Sequence, residues 1–118
     1  MAWYTAVLVR GAHVGGVLDD ERMGDMLYLL VEAEGAEEAH ARALELGRAA
    51  SDSYEDDDGK TVTLSVLGLA DLAEIGDEAP GHGVEVYSQM VPAAPSEMVV
   101  PKEELTVFEE SDAADETA

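Results

Sequence analysis

The first third of the chain carries hydrophobic patterns that predict two β-strands. Residues 3–9 alternate between two faces that are both largely apolar, which is typical of a central strand. Residues 26–32 form a second short apolar run between turn signals, and its length favours a buried strand over a helix. Glycines and charged residues between residues 11 and 22 predict a flexible connection. The two strands are therefore expected to form a hairpin with a long loop.

Residues 36–50 follow a different period, which predicts a helix. Small or apolar residues recur there at spacings of three and four: Ala36, Ala39, Ala43, Leu46, Gly47 and Ala50. Glu37 and Glu38 fall in the first turn and Arg48 in the last, where they suit the helix dipole. The small side chains of the apolar face predict that this helix lies close to a sheet.

The second half of the chain predicts further strands separated by turns. Asp58-Gly59 is a tight-turn signal, and residues 61–66 then alternate between apolar and polar side chains, as in a strand with one polar face. Residues 70–75 fit either a continuation of that strand or one helical turn. Residues 84–91, which follow a glycine-rich loop, predict a fourth strand.

The remainder of the chain offers little regular structure. Pro92, Pro95 and Pro101 forbid a long regular element, although residues 105–108 could add an edge strand. Residues 109–118 are expected to be a disordered acidic tail that follows a single domain over residues 1–108. The elements together predict an α+β fold, with one helix packed on a mostly antiparallel sheet of four to five strands in the order β-β-α-β-β(-β).

Charge is the compositional property that most restricts the function. The chain has 27 acidic residues against six Lys and Arg, a formal net charge of −21. The excess is concentrated in residues 51–118, where 18 acidic residues accompany only two lysines. Such a field repels nucleic acid and anionic membranes and attracts basic protein surfaces. We therefore expect no nucleic-acid or membrane partner. Without a signal-like start or a long apolar run, a cytoplasmic location is the expectation.

The residues that most often perform chemistry are not arranged for it in this sequence. The acidic run before Gly59 lacks the first and last carboxylates of a calcium loop. The three histidines are far apart, there is no cysteine, and no serine lies in a nucleophile elbow or phosphate-binding loop. We therefore expect no catalytic residue, no metal site and no cofactor, and we predict that the protein is not an enzyme.

Several segments together resemble a family of small bacterial proteins, domain of unknown function 4288. They are Trp3-Tyr4-Thr5-Ala6, the helix ending in Leu46-Gly47, the acidic turn before Lys60, Gly68-Leu69-Ala70-Asp71-Leu72 and Glu85-Val86-Tyr87-Ser88. The last of these is the most specific, and Gln89 stands where the family often has a basic residue. The resemblance implies a small α+β fold and brings no established activity or catalytic residue.

The function predicted from these features is a protein-interaction module that binds a basic partner, in the manner of immunity proteins and antitoxins. Its contact residues are expected among the carboxylates of the second half, with an aromatic neighbour: Asp56, Asp57, Asp58, Glu85 and Tyr87. One alternative is a housekeeping or assembly subunit whose acidity is an adaptation to salt. Another is a small-ligand binder or enzyme. A homo-oligomer formed through an edge strand is a further expectation.

Overall fold

The structure is a computed structural model that describes residues 1–108 of the chain. Within them lie five strands and one main helix: β1 (Ala2–Val14), β2 (Val17–Leu18), β3 (Asp25–Ala33), α1 (Ala36–Ala49), β4 (Asp52–Glu55) and β5 (Thr61–Gly76). Two short 3-10 helices follow, Pro95–Met98 and Lys102–Glu104. The chain divides into two compact units, and the first, Met1–Ser88, contains the sheet and α1. The tail predicted for residues 109–118 lies outside the described residues.

β1 is the central strand, as its two apolar faces predicted. It pairs with β3 and β2 along one edge and with β5 along the other, and β4 pairs with the start of β5. All of these pairings are antiparallel. The α+β fold with one helix on a mostly antiparallel sheet is thus confirmed, and the short strand β2 makes the order β-β-β-α-β-β.

α1 packs on one face of the sheet through its smallest residues. Ala39 and Ala43 are fully buried against a cluster that includes Tyr4, Ala6 and Leu8 of β1. At Gly47 the approach is closer still, since an added Cβ would lie 2.6 Å from Cγ2 of Val66 and would also collide with Leu8. The small-residue stripe therefore determines how closely the helix can lie on the sheet.

β1 is longer than the sequence pattern predicted. Residues 11–14 belong to the strand, where Ala12 is buried and pairs with Leu64 of β5, and are not part of a flexible connection. The turn that connects β1 to β2 begins only at Gly15 and Gly16. Their φ angles of +61° and +82° lie in the left-handed region that favours glycine. A strand with a partner on each side can include glycine and histidine because pairing stabilises it more than intrinsic propensity does.

β5 also continues beyond the predicted strand and includes residues 70–75. It stays paired with β1 from Val62 to Gly76 by means of three irregularities, which leave Leu67, Ala70 and Ile75 without a direct partner. Each inserts an extra residue that increases the local twist. These insertions break the two-residue alternation, which is why the pattern in this segment was ambiguous.

Two predicted strands are absent from the described residues. Residues 84–91 contain no strand, and the carbonyl of Val86 accepts a hydrogen bond from the Thr5 side chain. Residues 105–108 are not an edge strand either. Residues 106–108 are helical, the amide of Phe108 donates to the carbonyl of Leu105 at 2.9 Å, and the ammonium of Lys102 lies 5.2 Å from the Phe108 ring centroid.

Candidate protein-binding surface

The face of the sheet turned away from α1 is apolar, and we call it the open face. It consists of Trp3, Thr5, Val7 and Val9 of β1, Met26, Tyr28 and Leu30 of β3, Leu18 of β2 and Leu67 of β5. Alternation places these residues there, because their neighbours in β1 and β3 pack against the helix. A sheet with two apolar faces must be covered on both of them, and α1 covers only one.

The segment 84–88 covers the middle of the open face. The Thr5 hydroxyl donates to the carbonyl of Val86, and the Tyr87 hydroxyl donates to Oδ2 of Asp71 at 2.9 Å. The Tyr87 ring meets the Tyr28 ring edge to face, with centroids 5.5 Å apart. The hydrogen bond to the Asp71 carboxylate raises the pKa of Tyr87, so the phenol stays protonated and keeps donating. Thr5 and Val7 beneath the segment are almost completely buried.

Beyond this segment no other element of Met1–Ser88 packs on the open face. Met26 is 49% exposed and Leu67 48% exposed, and both line a shallow cavity of about 320 Å³ together with Val9 and Gly11. Gly11 allows Leu18 and Leu67 to meet across β1, because a Cβ there would lie 2.8 and 2.9 Å from their terminal carbons. Contiguous exposed apolar patches are common at surfaces that bind other molecules.

Acidic loops border this uncovered patch. Arg22 connects the two loops, since its guanidinium donates to Asp19 at 3.1 Å and to Asp56 at 2.9 Å. The ion pairs hold the 19–22 loop against the turn between β4 and β5. Asp20 lines the cavity beside them and forms no salt bridge with any residue in 1–108. The patch therefore has an apolar centre and a charged rim, in which three aspartates accompany two arginines.

Asp56 builds the turn between β4 and β5. Its Oδ1 accepts the backbone N–H groups of Asp58 at 2.9 Å and Lys60 at 2.8 Å. These bonds, the one from the Lys60 amide above all, hold the pKa of Asp56 below its usual range, with a further contribution from Arg22. Gly59 completes the turn with a φ of +80°. Asp56 is thus occupied by intramolecular bonds, whereas Asp57 and Asp58 are exposed at the tip of the turn.

The residues predicted to bind a partner do not form a single cluster. Asp57 and Asp58 precede the start of β5, whereas Tyr87 contacts Asp71 ten residues further along that strand. The two groups are separated by roughly 25 to 30 Å of strand. Glu85 is exposed and lines a small cavity with Tyr87. The uncovered apolar patch lies between the two groups.

Arg10 has a central structural role that the sequence pattern did not indicate. It is only 7% exposed, and its guanidinium makes a bidentate contact with Asp25 at 2.7 and 2.5 Å. It also donates to Asp52 at 2.9 Å and to the carbonyl of Ala50 at 2.8 Å, beyond the end of α1. These hydrogen bonds, first to Asp25 and then to Asp52, raise the pKa of Arg10, and the pairing lowers the pKa of Asp25. A lone arginine in an otherwise apolar strand was the available signal.

The structure also locates the residue types associated with chemistry. His13 lies near the end of β1, where its Nδ1 is 3.0 Å from Oγ of Ser65 in the neighbouring strand, a cross-strand hydrogen bond. In residues 1–108, no three His, Asp or Glu side chains are grouped to hold a metal ion. None of the helices in the same part of the chain has the length and hydropathy needed to cross a bilayer.

Comparison with known proteins identifies the family. The family model described as Domain of unknown function (DUF4288) matches residues 3–88. The chain therefore belongs to this family, as the sequence resemblance predicted. The match ends where the first compact unit ends, so the 84–88 segment is part of the family domain. No curated protein and no solved structure matches the chain significantly.

Proposed function

We propose that the protein is a non-enzymatic interaction module that binds a basic partner protein, in the manner of an immunity protein or antitoxin. The observation that carries the proposal is the uncovered part of the open face, an apolar patch of Leu18, Met26 and Leu67 with acidic loops beside it. Protein interfaces commonly combine an apolar core with a polar rim.

The two parts of this surface have different tasks. The apolar centre supplies the area that a partner removes from water, and it governs how long a complex lasts. The rim, with Asp20, Asp57 and Asp58, attracts a positively charged partner and accelerates the encounter. Asp56 does not belong to the contact set in this proposal, because its carboxylate already accepts two backbone amides and Arg22.

A capture experiment with matched variants tests the proposal. The full chain is immobilised as wild type, as Met26→Ser/Leu67→Ser, and as the control Met98→Ser, whose side chain is also exposed and lies in neither proposed surface. We expect the wild type and the control to retain the same protein of high isoelectric point, and the double variant to lose it. Capture that is identical for all three would contradict the proposal and leave the acidity as a general property, as in a salt-adapted assembly subunit.

A further inference from the structure

The outer edge of β3 is an unusually regular and apolar strand edge. β3 pairs with β1 from Asp25 to Ala33 without a single irregularity, and no strand in residues 1–108 pairs with its other edge. Between Asp25 and Glu32 it contains no charge, no proline and no glycine. Soluble proteins usually protect an edge of this kind with a charge, a proline or a bulge. The free part of β5, by contrast, is interrupted by its three irregularities.

A mostly apolar groove of about 600 Å³ runs along the same edge. Val31 and the neighbouring residues at the edge of β3 line it on the sheet side, and Leu46 and Ala49 line it on the helix side. Leu46 is 48% exposed, although it belongs to the apolar face of the helix. Arg42 lies at one end, where its guanidinium donates to the carbonyl of Glu32 and pairs with Glu38 at 3.0 Å. The edge and the groove together form a surface of two layers, strand below and helix above.

We propose that a second copy of this chain covers this surface, through antiparallel pairing of β3 with β3 of the second copy. A two-fold axis perpendicular to the sheet generates this pairing and leaves both helices on the same face. The register that pairs all nine residues is centred on Leu29. The sheet then continues from one copy into the other.

The charges of β3 are compatible with this register. Asp25 lies opposite Ala33 of the second copy and Glu32 opposite Met26, so no two like charges face each other. Tyr28 lies opposite Leu30, which is a favourable aromatic and aliphatic pair. Leu46 lies one helical turn beyond Arg42, towards the centre of β3, and would approach the Leu46 of the second copy near the axis.

The size of the contact is sufficient for a dimer. Nine residues of strand are about 31 Å long, and a sheet with a helix layer above it is about 20 Å thick. A flat contact of these dimensions buries about 600 Å² on each copy, or about 1,200 Å² in total, which is at the lower end of stable specific interfaces.

The dependence of the dimer on salt concentration distinguishes it from the binding of a basic partner. Two bodies with a formal charge of −21 repel each other, so screening should strengthen the dimer. Attraction of a basic partner has the opposite salt dependence. The dimer does not rest on the proposed function, and either proposal can fail without the other.

Sedimentation velocity on the full chain tests the dimer. We expect a species of twice the 12.5 kDa chain mass, whose dissociation constant falls severalfold between about 0.05 and 1 M NaCl. Leu46→Glu should raise that constant about tenfold, because it places like charges near the axis. The control Val17→Glu, at an exposed position of β2, should leave it nearly unchanged. A monomer under all of these conditions would overturn the proposal.

Cysteine pairing tests the register directly, because the chain has no cysteine of its own. Met26→Cys and Glu32→Cys are prepared as separate variants at exposed positions. In the proposed register position 26 of one copy lies opposite position 32 of the other, whereas identical positions are six residues or about 20 Å apart. Oxidation of the mixture should give a cross-linked dimer and oxidation of each variant alone should not. A dimer that cross-links equally well without mixing, or not at all, contradicts this register.

Discussion

The hydroxyl of Thr5 donates a hydrogen bond to the backbone carbonyl of Val86, 81 residues further along the chain. This bond connects the central strand to the segment that crosses the open face, and it is almost completely buried at Thr5. The family match includes both residues. The 84–88 segment is therefore held on the sheet by specific polar contacts as well as by the Tyr28 and Tyr87 rings.

Thr5→Val tests how strongly this bond holds the segment. The substitution preserves the shape of the side chain and leaves the Val86 carbonyl without its partner, so the free energy of unfolding should fall by about 1 kcal/mol. Hydrogen exchange at residues 84–88 should accelerate more than exchange in β1. The control Thr61→Val, at an exposed position, should change neither property. Unchanged exchange at 84–88 in Thr5→Val would show that the bond does not hold the segment.

Arg10→Met tests the ion pairs of the buried Arg10 with its partly exposed carboxylate partners. The variant leaves Asp25, Asp52 and the carbonyl of Ala50 without a shared donor, and we expect a loss of about 2 kcal/mol in the free energy of unfolding. Arg48→Met is the matched control, because Arg48 is exposed and makes no salt bridge within residues 1–108. Equal effects of the two substitutions in urea unfolding would contradict a structural role for Arg10.

The same ion pair predicts a dependence of stability on pH. Because the folded state lowers the pKa of Asp25, its carboxylate stabilises the protein above its ordinary pKa of about 4, and this stabilisation is lost as pH falls through the lower folded value. Asp25→Asn should therefore be destabilised relative to wild type at pH 7, and the difference should shrink at pH values well below 4. A difference that is constant with pH, measured by urea unfolding, would show that the effect is not electrostatic.

Gly47→Ala tests the close contact between α1 and the sheet. In an exposed helix this change is stabilising, but here the new methyl group would collide with Leu8 and Val66. We expect a net destabilisation of about 1 to 3 kcal/mol, because the helix must move away from the sheet. Gly68→Ala is the control, since an added Cβ there contacts nothing within 4 Å. A thermal midpoint that rises for Gly47→Ala would refute the close packing.

The sequence predicted those elements in which the buried residues recur at one constant spacing. The strands around residues 3–9 and 26–32 and the helix from Ala36 were found because their buried residues recur every two or every three to four positions. β5 was predicted only in part, since its irregularities shift which residues are buried. Val84 and Val86 alternate as strand residues do, but their place depends on a long-range contact with Thr5 that local pattern does not encode.

Of the candidate surface, only the charged part was predicted from the sequence. The acidic turn and Tyr87 were identified, whereas the apolar centre was not, because Leu18, Met26 and Leu67 come from three separate strands. They become neighbours only through the register in which these strands pair with β1. Asp56 was grouped with its exposed neighbours since sequence does not distinguish a carboxylate that caps backbone amides from one that faces solvent.

The most direct test of the proposed function is the association rate of the captured basic partner with the full chain, measured by stopped flow over a range of ionic strength. Asp57→Asn/Asp58→Asn removes two rim charges and preserves Asp56, so association should slow severalfold at low salt while dissociation changes little. Met26→Ser/Leu67→Ser should instead accelerate dissociation. We expect the wild-type association rate to fall steeply as salt increases. An association rate that responds neither to salt nor to the loss of Asp57 and Asp58 would contradict the proposed function.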